Sequence, residues 1–466
     1  MKKLFFFLIG LYFLVGCSIH SPYVRPELSF LKEHYQNASD EKSCQQNGDS
    51  WWLRIDDLIL HDLIAAGLEG NLDLQSARVR IQKACAELGI AEANLLPRID
   101  LLGSSTANGQ SREGIQGNNP ALLRSHNMHR IKSTLSWELD LFGRIRQGQA
   151  LFQAQLHAAT LDFYATQVSL ASQIAEEYFL YRTLEKRAAI ACARKETQER
   201  LYYLNQSRFE AGIAPQIEAT EARALLAETE AVLPNLLFQI TESVYRLDIL
   251  TGQSPGTWQE KIPSSIAMPP VPSLPEVGIP LDLLRRRPDV LAAEERLIAA
   301  HIQIGITRTE YLPKLQLTGT CGVEALKSEN LLTSNARFFS IGPSLSWRLL
   351  EFWRIDREIQ GAQSGVKEAL IHYKRIVLNA CAEVETALLR YQKCIETLRR
   401  ERDHLQAETD HLNLLREQYR LGLLPFLNVA YAERRLQSTE NQLVLAEQAA
   451  LGSYILLNKS LGGQLW

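Results

Sequence analysis

The sequence predicts an α+β membrane protein built as two tandem copies of one unit, each joining a β-hairpin to a very long helical hairpin. Three observations predict it: an ordered internal repeat, two pairs of strictly alternating segments, and two long helical stretches without Gly or Pro. Period-2 alternation closed by a loop is the pattern of a transmembrane barrel strand, in which lipid-facing and lumen-facing side chains alternate.

The repeat comes first. A slide of 216 residues lays Asp73–Gly103 on Asp289–Gly319, matching Asp73/Asp289, Arg80/Arg296, Gly89/Gly305 and Pro97/Pro313. A slide of 210 lays Leu135-Ser136-Trp137 on Leu345-Ser346-Trp347, Gly212 on Gly422 and Pro215 on Pro425. Unrelated helices share composition, but not an ordered set of Gly, Pro and Trp.

Each copy follows the same order. A helix ends at Leu96-Pro97 or Leu312-Pro313, because proline lacks the amide donor and restricts the residue before it. Alternation follows, with Lys314, Gln316, Thr318 and Thr320 on one face and Leu315, Leu317 and Gly319 on the other. Loops come next, at about 108–127 and 327–335. Alternation then returns, with Lys132, Thr134 and Ser136 set against Leu135, Trp137 and Leu139. His126, Met128 and His129 fall in the first loop on this reading.

The helical stretches run from Gln149 to Ala211 and from Val366 to Leu421. At 1.5 Å per residue, 60–70 residues would reach roughly 100 Å. Tyr391, Leu398, Leu405, Leu412 and Tyr419 recur every seven residues, the spacing of a supercoiled packing seam. Each helix turns at a Gly-to-Pro site, Gly212–Pro215 and Gly422–Pro425, and returns. Pro234 is expected to break the first returning helix. Eight of the 17 prolines sit between Pro255 and Pro288, marking the linker between copies.

The ends set the compartment. Lys2 and Lys3 precede an apolar run from Leu4 to Val15, too short to span a bilayer as a helix, so residues 1–16 read as a signal peptide. Leu14-Val15-Gly16-Cys17 resembles the bacterial lipobox, which makes Cys17 the lipidation site and implies sorting to the outer membrane. The formal net charge of −3 argues against a nucleic-acid partner. Six further cysteines show no CxxC and no regular framework, and they read mostly as small buried residues. Arg285, Arg286 and Arg287, at the start of the second copy, read as partners for acids of the long helices. His404 and His411 read as solvated.

Several motifs carry a family resemblance: the lipobox with Tyr23-Val24-Arg25-Pro26 behind it, Asp49-Ser50-Trp51-Trp52, Ala84 to Pro97, Trp137-Glu138-Leu139-Asp140-Leu141-Phe142-Gly143-Arg144, and Leu283 to Val290. Together they resemble the TolC-type outer-membrane efflux factors, in the NodT-like lipoprotein branch. The resemblance implies a trimeric 12-stranded β-barrel, four strands per subunit, continued by a long α-helical barrel. It implies the outer-membrane channel of a tripartite efflux system, a passive exit duct fed by a periplasmic membrane-fusion adaptor and an inner-membrane RND-type pump. No phosphate-binding loop, catalytic constellation or cofactor site is legible in the chain, which reads as a non-enzyme.

The organisation expected is a signal peptide (1–16), a lipidated N-terminal and equatorial segment (17–70), repeat 1 (71–252), a Pro-rich linker (253–288) and repeat 2 (289–466). Gly212, Pro215, Gly422 and Pro425 are the expected adaptor-docking tips. Trp137 and Trp347 fit an interfacial aromatic girdle. In many members of the family the tunnel narrows at two aspartates just past the second tip. The matching positions here are the neutral Asn428 and Tyr431, with Glu218 and Glu221 as their copy-one counterparts. The competing expectation is a lipid-anchored coiled-coil envelope protein without a pore.

Overall fold

The computed structural model describes residues 22–28, 35–36, 50–109, 125–263, 268–274, 280 and 286–463. The lipobox with Cys17, Cys44, the tip of the first hairpin loop, and Leu283 to Arg285 lie outside them. The elements run α1 (Leu58–Gly70), α2 (Leu72–Ala93), β1 (Arg98–Gly109), β2 (Ser125–Leu139), α3 (Arg144–Glu210), α4 (Gln216–Leu250), α5 (Pro288–Arg308), β3 (Lys314–Ala325), β4 (Arg337–Ser346), α6 (Phe352–Arg420) and α7 (Phe426–Ser460). Two compact units result. One comprises 1–27, 81–159 and 293–373, and the other 28–80, 160–292 and 374–466. Each unit therefore takes corresponding portions of both copies.

The first unit holds one antiparallel sheet in the order β1-β2-β3-β4. The register places Ile99, Leu135, Gly319 and Ile341 on one rung and Asp100, Thr134, Thr320 and Ser340 on the next. Opposite residues share a face, so the alternation along each strand becomes one apolar and one polar sheet face. β2 begins earlier than the loop reading expected. His126, Met128 and His129 are strand residues, and Ser105 Oγ lies 2.9 Å from His129 Nδ1. The second loop contains two short 3-10 turns, Ser328–Asn330 and Ser334–Ala336.

Below the sheet, Asp140 opens α3. Its carboxylate accepts the amides of Ile145 and Arg146, both at 3.0 Å, which satisfies donors that have no partner within the helix. Gly143, at φ +78°, makes the turn between them. The segment behind the lipobox is pinned to α5. Arg25 bonds the Glu294 carboxylate, and the Tyr23 ring stands edge-on to His301 at 6.0 Å. Burial, with Glu294 beside it, pushes the Tyr23 hydroxyl up to about 12.

In the second unit the seven-residue seam packs as expected. Leu412, with Leu405 and Tyr419 beside it, meets Val429, Ala432 and Leu436 of α7, and Leu398 meets Ala446 and Ala450. Ion pairs flank the packing: Lys186–Glu447 at 2.6 Å, Arg194–Glu440 at 2.8 Å and Lys195–Glu230 at 3.0 Å. The expected break at Pro234 is absent, since α4 is one helix of 35 residues through that position. Proline removes one hydrogen bond, and Pro234 is exposed, so water can satisfy the freed carbonyl. The long helices also outrun their Gly-free windows. α3 has 67 residues and passes Gly148, while α6 has 69 and passes Gly361 and Gly365. A single Gly costs about 1 kcal/mol against Ala, too little to end a helix with so much packing.

Asp248, fully buried, holds the turn after α4 by accepting the amides of Gly256 at 2.6 Å and Trp258 at 2.9 Å. Arg287 behaves as the sequence suggested. Burial alone would lower its pKa, but bonds to Asp289 at 2.6 Å and Glu383 of α6 at 2.7 Å hold it above the ordinary value. His404 sits 3.5 Å from Glu401 and 3.6 Å from Glu408. The cysteines correct the expectation of burial: Cys85, Cys192 and Cys321 are exposed, and Cys381 and Cys394 are half-buried and free. The pattern that fixes a helix or strand says little about which of its faces is covered.

Candidate functional site

Three surfaces carry the functional residues: the sheet faces, the helical tips, and the helix starts just past the tips. On the sheet, the apolar face is bare. Phe339 is 84% exposed, Leu101 77% and Ile341 67%, and most of the apolar residues of the four strands share that side, while Leu102 and Phe338 share the opposite face with Lys132. The opposite face carries a cross-strand pair between Arg130 of β2 and Glu324 of β3 at 2.6 Å. At the foot, Arg144 grips Glu138 through two bonds of 2.9 and 2.7 Å. No helix among the described residues is long and apolar enough to cross a membrane.

Trp137 and Trp347 occupy equivalent places. The Trp137 indole N–H donates to the Leu95 carbonyl at 2.9 Å, and that of Trp347 to the Tyr311 carbonyl at 2.9 Å. Both acceptors lie two residues before the proline that opens the hairpin. The internal repeat thus extends to a single hydrogen bond. Both tryptophans are tied to the turn at the strand foot, a role that the girdle reading did not include.

The tips are near copies. Gly212 has φ +70° and Gly422 φ +73°, while Pro215 and Pro425 both have φ −71° with ψ of 150° and 155°. Ile213 N–H donates to the Arg208 carbonyl and Leu423 N–H to the Gln418 carbonyl, each capping the end of a long helix. The glycines are thus required first for the left-handed backbone. What each tip presents outward is apolar: Ile213 is 71% exposed and Leu423 69%. Beneath them Tyr419 packs on Phe426 at 5.9 Å and accepts a bond from the Arg208 guanidinium.

Past the tips, Glu221 of α4 and Tyr431 of α7 line one cleft together with Leu427, Glu228 and Arg434. Tyr431 is 58% exposed, and Arg434 bonds Glu228 at 3.0 Å. Glu218 and Asn428 sit in the first turns of their helices, each amide donating to the preceding tip proline carbonyl at 3.2 Å. Glu218 Oε2 is buried without a hydrogen-bond partner. Arg434 and Glu228 were missed in the sequence. Arg434 follows Tyr431 by one helical turn, so helical spacing could have found it.

The family description "outer membrane efflux protein" matches residues 63–253 and 279–463. Nodulation protein T of Rhizobium leguminosarum bv. trifolii is 29% identical over 453 residues, covering 96% of this chain and 95% of the relative. The probable efflux pump outer membrane protein TtgC of Pseudomonas putida is 25% identical over 477 residues, 99% and 96% of the two chains. Among solved structures, the outer-membrane channel OprN is 28% identical with a TM-score of 0.84, covering 96% of this chain and 99% of that one. The open-state MtrE outer membrane channel of Neisseria gonorrhoeae shares the fold at 23% identity and a TM-score of 0.84, covering 96% and 99%. With both copies of the repeat matched, and with a bare apolar sheet face in one unit and long helical hairpins in the other, this chain belongs to the outer membrane efflux protein family, as a channel subunit of the outer membrane.

Proposed function

We propose that three copies of this chain close one barrel and form the exit duct of a tripartite system, receiving small molecules from a periplasmic adaptor and an inner-membrane pump. The observation that carries this is the sheet, which among the described residues has four strands, an apolar face exposed to solvent, and two edges without partners. Lipid leaves no water to satisfy an open edge, so the sheet must close on others. Three sheets of four strands give twelve, an even number within the range of such barrels. A pore-free spacer would have no use for a bare apolar face. Cys17 supplies a lipid anchor beside the barrel.

The tips are the adaptor contacts, with Ile213 and Leu423 as apolar anchors beside Gly212, Pro215, Gly422 and Pro425. Glu221, Tyr431, Asn428 and Glu218 form the constriction. Its closed state is held by side-chain contacts that include Tyr431 and the Arg434–Glu228 pair. Trimeric symmetry would repeat each residue three times around the axis.

The test is electrical. Purified protein in planar bilayers should give stepwise channel currents. Trimers that give none would support the spacer instead. Across a salt gradient, Glu221→Gln should reduce cation preference and Tyr431→Ala should raise conductance. Strong cation selectivity that survives Glu221→Gln would place the constriction elsewhere.

A further inference from the structure

Among the described residues the sheet has two unpaired edges, β1 and β4, and the internal repeat supplies the pairing rule between them. Two slides relate the copies, 216 residues for α2 and β1, and 210 for β2, α3 and α4. The first carries β1, Arg98–Gly109, end for end onto β3, Lys314–Ala325. Applied together, they carry the observed pair Arg98↔Ser136 of the first hairpin onto Lys314↔Ser346, which is the observed register of the second. The rule therefore reproduces a register it was not built from.

The seam between copies, β2 against β3, pairs Glu138↔Gln316, Ser136↔Thr318 and Thr134↔Thr320. The same rule moves this seam to β4 against a β1 belonging to another chain. We propose that β4 pairs antiparallel with β1 of the partner subunit so that Ser344 faces Ser104 of the partner subunit and Arg348, two residues past the strand end, faces Asp100 of the partner subunit. This rests on the trimeric reading and adds to it the register and the ion pair.

Charge and packing agree with the placement. Arg348 and Asp100 are of opposite sign, and opposite charges across a seam favour their register. Among the described residues of one chain Asp100 pairs only with its neighbour Arg98, at 3.0 Å, with the two side chains 44% and 78% exposed. Arg348 lies 3.4 Å from Glu310 and 3.6 Å from Glu351. Facing Asp100 would set a third acid against it.

The helices obey the same rule. A Cβ placed on Gly305 would lie 2.1 Å from Gln147 Oε1 of α3, so a side chain there would have to displace the Gln147 amide. Its repeat counterpart Gly89 has open space. The rule sets Arg357 of α6 against Gly89 of the partner subunit. Leu378 and Leu389 of α6 are 49% and 45% exposed, whereas their α3 counterparts Val168 and Phe179 are 5% and 1%. These are apolar positions that a neighbour would cover.

Paired cysteines test the register in the full-length chain in membranes. Directly opposite Cβ atoms approach to about 4.5–5.5 Å, while diagonal neighbours stand about 7–8 Å apart. Ser344→Cys combined with Ser104→Cys should oxidise to cross-linked trimers in most subunits. Ser344→Cys with Leu102→Cys, or with Thr106→Cys, should cross-link poorly, and each single cysteine not above the parent. Preferential cross-linking of either offset pair would overturn the register while leaving the trimer standing, as would trimers in which no pair cross-links. Absence of trimers in the unsubstituted protein would overturn the assembly itself. Independently, Arg348→Glu and Asp100→Arg should each lower the temperature at which trimers dissociate, and the two together should restore it. Additive loss in the double variant would remove the ion pair.

Discussion

Asp248 shows what a single buried side chain does here. It is fully buried, and its two oxygens hold the amides of Gly256 and Trp258. Asp248→Ala would strand both donors, and leaving a buried donor unpaired costs about 1–3 kcal/mol. We expect about 2–4 kcal/mol of destabilisation, read by denaturant unfolding, with a smaller loss for Asp248→Asn. Glu177 works in the opposite sense. Burial pushes its carboxyl above the ordinary value, and its Oε1 has no hydrogen-bond partner. A raised pKa means that the folded state binds the proton more readily than the unfolded chain. Its contribution is therefore present at acid pH and lost as pH rises through the folded-state value. Glu177→Gln should raise thermal stability at neutral pH and give no gain in acid. An equal gain at both would show that ionisation is not the cause.

At the scale of elements, the tips and the long helices divide by how far their cause lies along the chain. Gly212 and Gly422 need φ values near +70° and each is followed by an N-capping proline, so the turns were legible from residue type alone. The strand starts after Pro97 and Pro313 were legible too, because alternation is local, but the start of β2 at Ser125 was not, since alternation is weak around His126–His129. Pro234 misled, since the helix partners that outweigh one lost hydrogen bond lie far away in sequence. The cysteines misled for the same reason, and Glu228 went unread because its partner Arg434 belongs to another helix 206 positions on. The exposed apolar tips give a prediction. Burying one such side chain at an interface contributes about 1.5–3 kcal/mol. Ile213→Asp and Leu423→Asp should each weaken adaptor binding at least about tenfold, roughly 1.4 kcal/mol, while leaving trimers intact. Equal binding by both variants would move the contact off the tips.

For the whole molecule, the decisive fact is that the apolar sheet face is continuous across all four strands. Leu135, Ile341 and Ile99 share one rung of that face. Leu135→Arg or Ile341→Lys should cost about 2–4 kcal/mol if the rung lies near the bilayer midplane, and less nearer the interfaces. The neighbouring polar rung, Thr134→Lys for example, should tolerate the charge. The readout is the yield of folded trimers in the outer membrane. Equal tolerance on both faces would contradict a lipid-facing assignment. The two-copy organisation was legible from the sequence. The division into two units that each draw on both copies was not, because it depends on where the long helices carry the chain.

The matching registers of the two hairpins also bear on ancestry. If the seam between chains follows the rule observed inside the chain, it does not record where the polypeptide is cut. An ancestral gene encoding a single hairpin unit would have closed the same ring with six identical products, and fusion of two such genes leaves the ring unchanged while halving the number of pieces. What fusion adds is freedom to diverge in alternate sectors. Arg130 and Glu324 face one another where the inter-chain seam would offer Ser340 and Asn108, and Glu221 has its counterpart in Tyr431. On that reading a ring of six equal sectors would have become one of three unequal pairs, in which each pair can assign charge to one member and packing to the other.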